Sequence, residues 1–170
     1  MARICYRLEC KVPLMINAQL DQLSWKILAE PQADARLSYA EIGRRVGLST
    51  PAAAERVRRL EESGIISGYA ARIDLSRIGL AVAAFIRIRL SGSEAQAKRL
   101  TALAGELAEV LECHRCTGDE SFILKVRVES VADLQKLIDR LTPFGMTSTS
   151  LILSSPVERG SPDVTRLGKT

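Results

Sequence analysis

Apolar positions fall at three- and four-residue intervals in the first half of the chain and alternate along short runs in the second, so a helical rhythm gives way to a strand-rich one. Leu20, Leu23, Ile27 and Leu28 mark an amphipathic first helix with Asp21 at its start, and Pro31 is expected to end or bend it. Ser38 with Glu41 three residues on forms a capping box for a second helix running to about Val46, with Tyr39, Ile42 and Val46 on one face. Gly47 ends that helix, and Leu48 folds back as the apolar contact of a short turn. Ser49 then caps a third helix. Pro51 is tolerated in its first turn, Ala53, Val57 and Leu60 face the second helix, and Gly64 stops it.

Two capped helices joined by a tight turn read as a helix-turn-helix. The 100° step per residue then puts Ala52, Arg56 and Arg59 on one outward flank, while Thr50 and Ala52 keep the helix start slim enough to enter a major groove. Residues 65–73 are β-prone around Gly68 and are expected to form a wing or a strand paired with another subunit. The Asp, Ser, Arg and Gly of residues 74–80 read as a hinge.

Beyond the hinge the predicted elements are a strand over 81–90, a helix over 93–108, strands over 110–116 and 121–128, a helix over 130–141 and a strand over 147–153. Leu100, Leu103 and Leu107 line the first helix; Val131, Leu134, Leu137, Ile138 and Leu141 line the second. The order β-α-β-β-α-β is that of a ferredoxin-like sandwich, four antiparallel strands with both helices on one face. The fold class is therefore α+β, and the uncovered sheet face is expected to bring two subunits together. The chain divides into an N-terminal tail (1–19), a helix-turn-helix domain (20–73), a hinge (74–80), a ferredoxin-like domain (81–157) and a disordered tail (158–170), the last rich in polar residues with Gly160 and Pro162.

Charge sharpens this picture. Between Arg36 and Arg59 six arginines face only Glu41 and Glu55, a local balance of +4 that equals the net charge of the whole chain. Such charge also solvates ordinary helix faces, but here it coincides with the capped pair of helices, which points to DNA. Four cysteines and one histidine do not make a metal site: Cys5 and Cys10 lie in the tail, while Cys113 and Cys116 alternate off one strand and only His114 shares a face with Cys116. Neither a metal nor a cofactor is expected. No apolar run is long enough to span a membrane and residues 1–14 lack a signal-peptide core, so a cytoplasmic protein is expected, with Met15 an alternative start.

Four blocks carry a family resemblance: LDQLSWKILAE, ADARLSYAEIGRRVGLS, ERVRRLEESGIISGY and ECHRCTGDESFILKV. In that order and spacing the chain resembles the Lrp/AsnC (feast/famine) transcription regulators. The resemblance implies a winged or wing-like helix-turn-helix, a ligand-sensing ferredoxin-like domain, homodimers that build into octamers, double-stranded DNA as partner, and an amino acid or related metabolite as effector. By position it implies DNA contacts from Tyr39, Arg44, Arg45, Ser49, Thr50, Ala52, Arg56, Arg58 and Arg59. It implies effector contacts from Gly118, Asp119, Ser121 and Thr149. Three departures stand out: Pro31 replaces a helical Leu, Ser121 replaces the second Asp of a Gly-Asp-x-Asp loop, and the turn around Phe144 to Met146 is two residues short.

The expected function is that of a sequence-specific DNA-binding regulator modulated by a small ligand. Two alternatives use the same layout. A siroheme-decarboxylase-like enzyme needs acid-base histidines, against the single His114 here. A ligand-independent architectural DNA binder would keep the basic helices and show no ligand-dependent change in its DNA footprint. The expectation for the loop is that, with one carboxylate lost at Ser121, common amino acids bind weakly or give way to a ligand without a free ammonium.

Overall fold

A computed structural model of the chain describes residues 20–158 and Val164. The expectations for the N-terminal tail, including Cys5, Cys10 and Met15, lie outside these residues, as does most of the C-terminal tail. The chain forms two compact units that part between Arg72 and Ile73, with Glu158 and Val164 belonging to the N-terminal one.

The N-terminal unit holds α1 (Gln22–Ala33), α2 (Tyr39–Val46) and α3 (Thr50–Glu62). Each begins where a short polar side chain satisfies a free amide. Asp21 accepts from Ser24 N–H, Ser38 from Glu41 N–H, and Ser49 from Ala52 N–H. Their buried residues, Ile27, Leu28, Ile42, Ala53, Val57 and Leu60, form one core. Two expectations need correction. α1 runs through Pro31 rather than ending there: Pro31 lies in its last turn, where its fixed φ is helical, so the loss is confined to the hydrogen bond it cannot donate to Ile27. The helix still closes with Asp34 N–H on the Glu30 carbonyl at 2.9 Å. Within the chain residues 65–73 form no wing, because three helices offer no sheet edge to pair with, which leaves their backbone open to a strand of another subunit. Instead Ile66 N–H closes on the Leu60 carbonyl at 2.9 Å, and Tyr69 Oη donates to Glu61 Oε1 at 2.8 Å. The stretch assigned to the hinge holds a short 3-10 turn, Leu75–Ile78, capped by Asp74.

The second unit has β1 (Val82–Leu90), α4 (Glu94–Glu106), β2 (Val110–Arg115), β3 (Phe122–Val128), α5 (Val131–Leu141) and β4 (Gly145–Leu151). The sheet is antiparallel with order β2-β3-β1-β4, the ferredoxin-like arrangement. The period of two sends Ala84, Ile86 and Ile88 of β1 and Phe122, Leu124, Val126 and Val128 of β3 to one face, where they pack with Leu100, Leu107, Leu134, Leu137 and Leu141 of the two helices. Val131, expected on the apolar face of α5, is exposed at its first position. β4 begins two residues earlier than expected. The short connection is a 3-10 turn, Thr142–Phe144, pinned by Ser91 N–H on the Phe144 carbonyl at 3.2 Å and by Gln96 on the Pro143 carbonyl at 3.1 Å, so pairing starts at Gly145.

The opposite sheet face carries no helix, and it is more polar than expected. Phe85, Ile123 and Met146 share it with Arg87, Lys125, Glu112 and His114, by the same alternation and register. Arg87 Nη2 donates to Ser150 Oγ at 2.8 Å, Lys125 Nζ to Glu112 Oε1 at 3.2 Å, and His114 Nε2 lies 3.0 Å from Glu112 Oε2.

Leu124 is fully buried at the centre of β3. Leu124→Ala is expected to cost about 2–5 kcal/mol of sheet-domain stability, against about 0.5 kcal/mol or less for Leu153→Ala at an exposed position. Urea unfolding followed by circular dichroism measures both; equal effects would contradict the described core.

Candidate nucleic-acid interface and effector loop

The turn between α2 and α3 sets the interface. Gly47 adopts a left-handed φ of 76°, which ends α2, and Leu48 N–H returns to the Gly43 carbonyl at 2.8 Å. Gly43 itself is buried, and a Cβ there would lie 2.7 Å from the Leu48 carbonyl oxygen and 3.3 Å from that of Ser49. The turn can pass this close only over a glycine. Gly43 was not singled out from the sequence, where a mid-helix Gly shows only as a weak helix former.

With Ala53, Val57 and Leu60 inward, the face of α3 opposite the core carries Glu55, Arg58 and Arg59, with Pro51 and Ala52 toward its start. Thr50 and Pro51 are exposed at the open end of the helix, and Ser49 is spent on the cap. Arg56 departs from the expected outward flank. It stands about 60° from the centre of the buried stripe, on the side of α1, and its Nη1 donates to both carboxylate oxygens of Asp21, at 2.9 and 3.2 Å.

Arg44, Arg45, Arg58 and Arg59 are also engaged. Arg44 Nη2 meets Glu41 Oε1 at 2.6 Å; Arg45 bridges Glu41 and Glu30, both at 2.9 Å; Arg59 Nε meets Glu55 Oε1 at 3.1 Å, and Arg58 bonds the same carboxylate. Asp21 and Glu30 of α1 therefore neutralise part of the charge that looked uncompensated along residues 36–59. These pairs are exposed, so each is worth little in water and is readily exchanged for a phosphate. Tyr39 is half exposed at the start of α2.

The expected effector residues gather only in part. Gly118, at φ 102°, turns the β2–β3 connection, and Asp119 stands almost fully exposed, its carbonyl accepting from Arg89 Nε at 3.0 Å and its carboxylate 3.9 Å from Arg89 Nη2. Ser121 is tied into the sheet: its Oγ accepts Leu90 N–H at 3.2 Å, its N–H donates to the Ile88 carbonyl at 2.9 Å, and its carbonyl accepts Cys116 N–H at 2.9 Å. Thr149 lies elsewhere. It pairs with Ile86 on the opposite side of β1, three residues along that strand from the register of Ser121, about 10 Å. Cys113 is half-buried against the core, which pushes its thiol above the ordinary range, and among the described residues no three metal ligands converge.

Residues 20–61 match the AsnC-type helix-turn-helix domain and residues 83–162 the Lrp/AsnC ligand binding domain. The chain belongs to the Lrp/AsnC family. The Bacillus subtilis HTH-type transcriptional regulator YezC is 40% identical over 136 residues, covering 80% of this chain and 95% of that protein. The leucine-responsive regulatory protein of Salmonella typhimurium is 38% identical over 120 residues, 70% of this chain and 73% of that one. Among solved structures, B. subtilis LrpC superposes with a TM-score of 0.77 at 32% identity, covering 82% of this chain and 99% of LrpC. A Neisseria meningitidis transcriptional regulator in complex with L-Met gives 0.82 at 26% identity, over 87% and 99%. This Lrp/AsnC chain is thus a transcriptional regulator with a DNA-binding helix-turn-helix and a ligand-binding ferredoxin-like domain.

The clamps on α1 and α2 predict a small acid sensitivity, in keeping with exposed pairs that each contribute little. Hydrogen bonds from Ser24 and then Arg56 hold the Asp21 carboxyl down from 3.8 to about 2, and those from Arg44 and Arg45 hold Glu41 down from 4.5 to about 2. Since the folded values are depressed, their stabilisation is fully present above the unfolded carboxylate range and lost as pH falls from 4.5 toward 2. Melting of the helical unit in that window should be flattened by Asp21→Asn with Glu41→Gln, read by the fluorescence of Trp25, the chain's only tryptophan. An unchanged acid profile in the double variant would contradict the clamps.

Proposed function

We propose that α3 reads operator DNA with the face carrying Thr50, Ala52, Arg58 and Arg59, while Tyr39, Arg44 and Arg45 at the two ends of α2 hold phosphates. The observation that carries this reading is the open start of α3: small or short side chains at Thr50, Pro51 and Ala52 ahead of two exposed arginines, on a helix held rigidly by the Gly43 turn. Arg56 takes the role of a strut between α3 and α1. Binding exchanges the Glu41 and Glu55 pairs for phosphate contacts.

The uncovered sheet face joins two copies, which sets two recognition helices for a two-fold operator. The effector is an amino acid or related metabolite, as in the relatives named for leucine or crystallised with L-Met. Asp119 is the carboxylate available to an ammonium, and because Thr149 stands away from the loop of its own chain, the second wall of the site comes from another subunit. Catalysis in the manner of a siroheme decarboxylase is not favoured: His114, the only histidine, is paired with Glu112 on the sheet face that joins the subunits.

Arg59→Ala is expected to weaken operator binding by about 1–3 kcal/mol if it contacts a base, and to weaken all sequences equally if it contacts a phosphate. Arg56→Ala should lower the melting temperature and leave the salt dependence of binding unchanged. Gel-shift titrations at several salt concentrations decide this, and a reduced salt slope in Arg56→Ala would contradict the strut.

For the effector, Ser121→Asp places a carboxylate where Leu90 N–H already donates and restores the family's second acid. A charged acceptor gains about 1 kcal/mol or more over a neutral one, so amino-acid affinity should rise roughly tenfold. Calorimetry against the standard amino acids reads it; micromolar binding by the wild type, unimproved in the variant, would refute the expectation.

A further inference from the structure

Between α1 and the end of α2 the helical unit leaves a groove of about 350 Å³, walled by Trp25, Ala29 and Val46 and rimmed by Lys26, Glu30 and Arg45. One residue from the far end of the chain is seated there. Val164 lines the groove, packs against the helical core, and donates its backbone N–H to Gln32 Oε1 at 3.1 Å. A second contact holds the same end of the chain: Arg72 Nη2 donates to the Glu158 carbonyl at 3.2 Å. Both Glu158 and Val164 belong to the helical unit and not to the sheet that precedes them.

This helical unit needs such an addition. Its three helices have 12, 8 and 13 residues and bury only six side chains fully, Ile27, Leu28, Ile42, Ala53, Val57 and Leu60. A core this small is short of stability without a staple or a partner. The groove offers apolar surface beside Trp25, with a valine against it and an amide acceptor at its edge for the incoming backbone.

We propose that Val164 acts as a strap of the DNA-binding unit, an intrachain ligand that walls the groove between α1 and α2 and adds to the helical core. The segment assigned to disorder from its composition acquires a docked residue at Val164.

Trp25 makes the test direct. Two proteins are compared with the full chain by Trp emission, acrylamide quenching and thermal melting: one ending at Val157, and Val164→Asp in the full chain. The strap requires that both shift the emission to the red, increase quenching and lower the melting midpoint of the helical unit by several degrees, while Val164→Ile keeps the wild-type signals. Wild-type emission and quenching in either variant, with helical circular dichroism intact, would overturn the proposal. If the truncated chain fails to fold, the full-length Val164→Asp and Val164→Ile pair carries the decision. Loss of the wild-type Trp signal on dilution of the full chain would place the strap on a second copy and overturn its intrachain form.

Discussion

The geometry of the DNA-binding unit depends on one close approach, the passage of the α2–α3 turn over Gly43. With no Cβ at that position, the Leu48 carbonyl comes within 2.7 Å of where one would be, and Leu48 N–H can close on the Gly43 carbonyl at 2.8 Å. The left-handed Gly47 then reverses the chain within two residues. This short turn sets α3 against α2 through Ala53, Val57 and Leu60, and so decides which residues of α3 look outward. A looser turn would leave the same arginines on the helix but not in one fixed direction.

The proposed interface is one in which charge is arranged to be exchanged. Glu41 serves Arg44 and Arg45, Glu55 serves Arg58 and Arg59, and all of these side chains are at the surface. Exposed pairs of this kind add little to folding, so in the proposed reading their value lies in holding long side chains in place until a phosphate replaces the carboxylate. Arg56 and Asp21 differ in purpose. Their contact joins residues 35 apart in sequence, and Asp21 also caps α1, so one carboxylate fixes both a helix start and the approach of α3 to α1.

Much of this was legible because it is local. Ser38 with Glu41, Ser49 with Pro51, and the alternation along β1 and β3 each state their role within a few residues, and the structure places caps, strands and core accordingly. What was not legible depends on distant partners. The direction of Arg56 is set by Asp21, and the fate of Pro31 by how little of α1 lies beyond it. Residues 65–73 have strand propensity but no edge to pair with in their own unit. Ser121 stands where the family's second acid falls, and that its hydroxyl also accepts Leu90 N–H across the sheet is a bond that only strand register reveals. Val164 shows the same limit, since composition marks its segment as polar and says nothing of the groove beside Trp25.

In the proposed mode of binding, exposed arginines on a rigid helix-turn-helix leave their intrachain carboxylates for DNA phosphates. Operator affinity of the intact protein, measured against salt concentration, tests it most directly. A linear fall of log K with log salt is expected, at about −0.9 per phosphate engaged, and so a slope of about −1.8 or steeper for two or more arginines. Affinity that hardly changes with salt would contradict it.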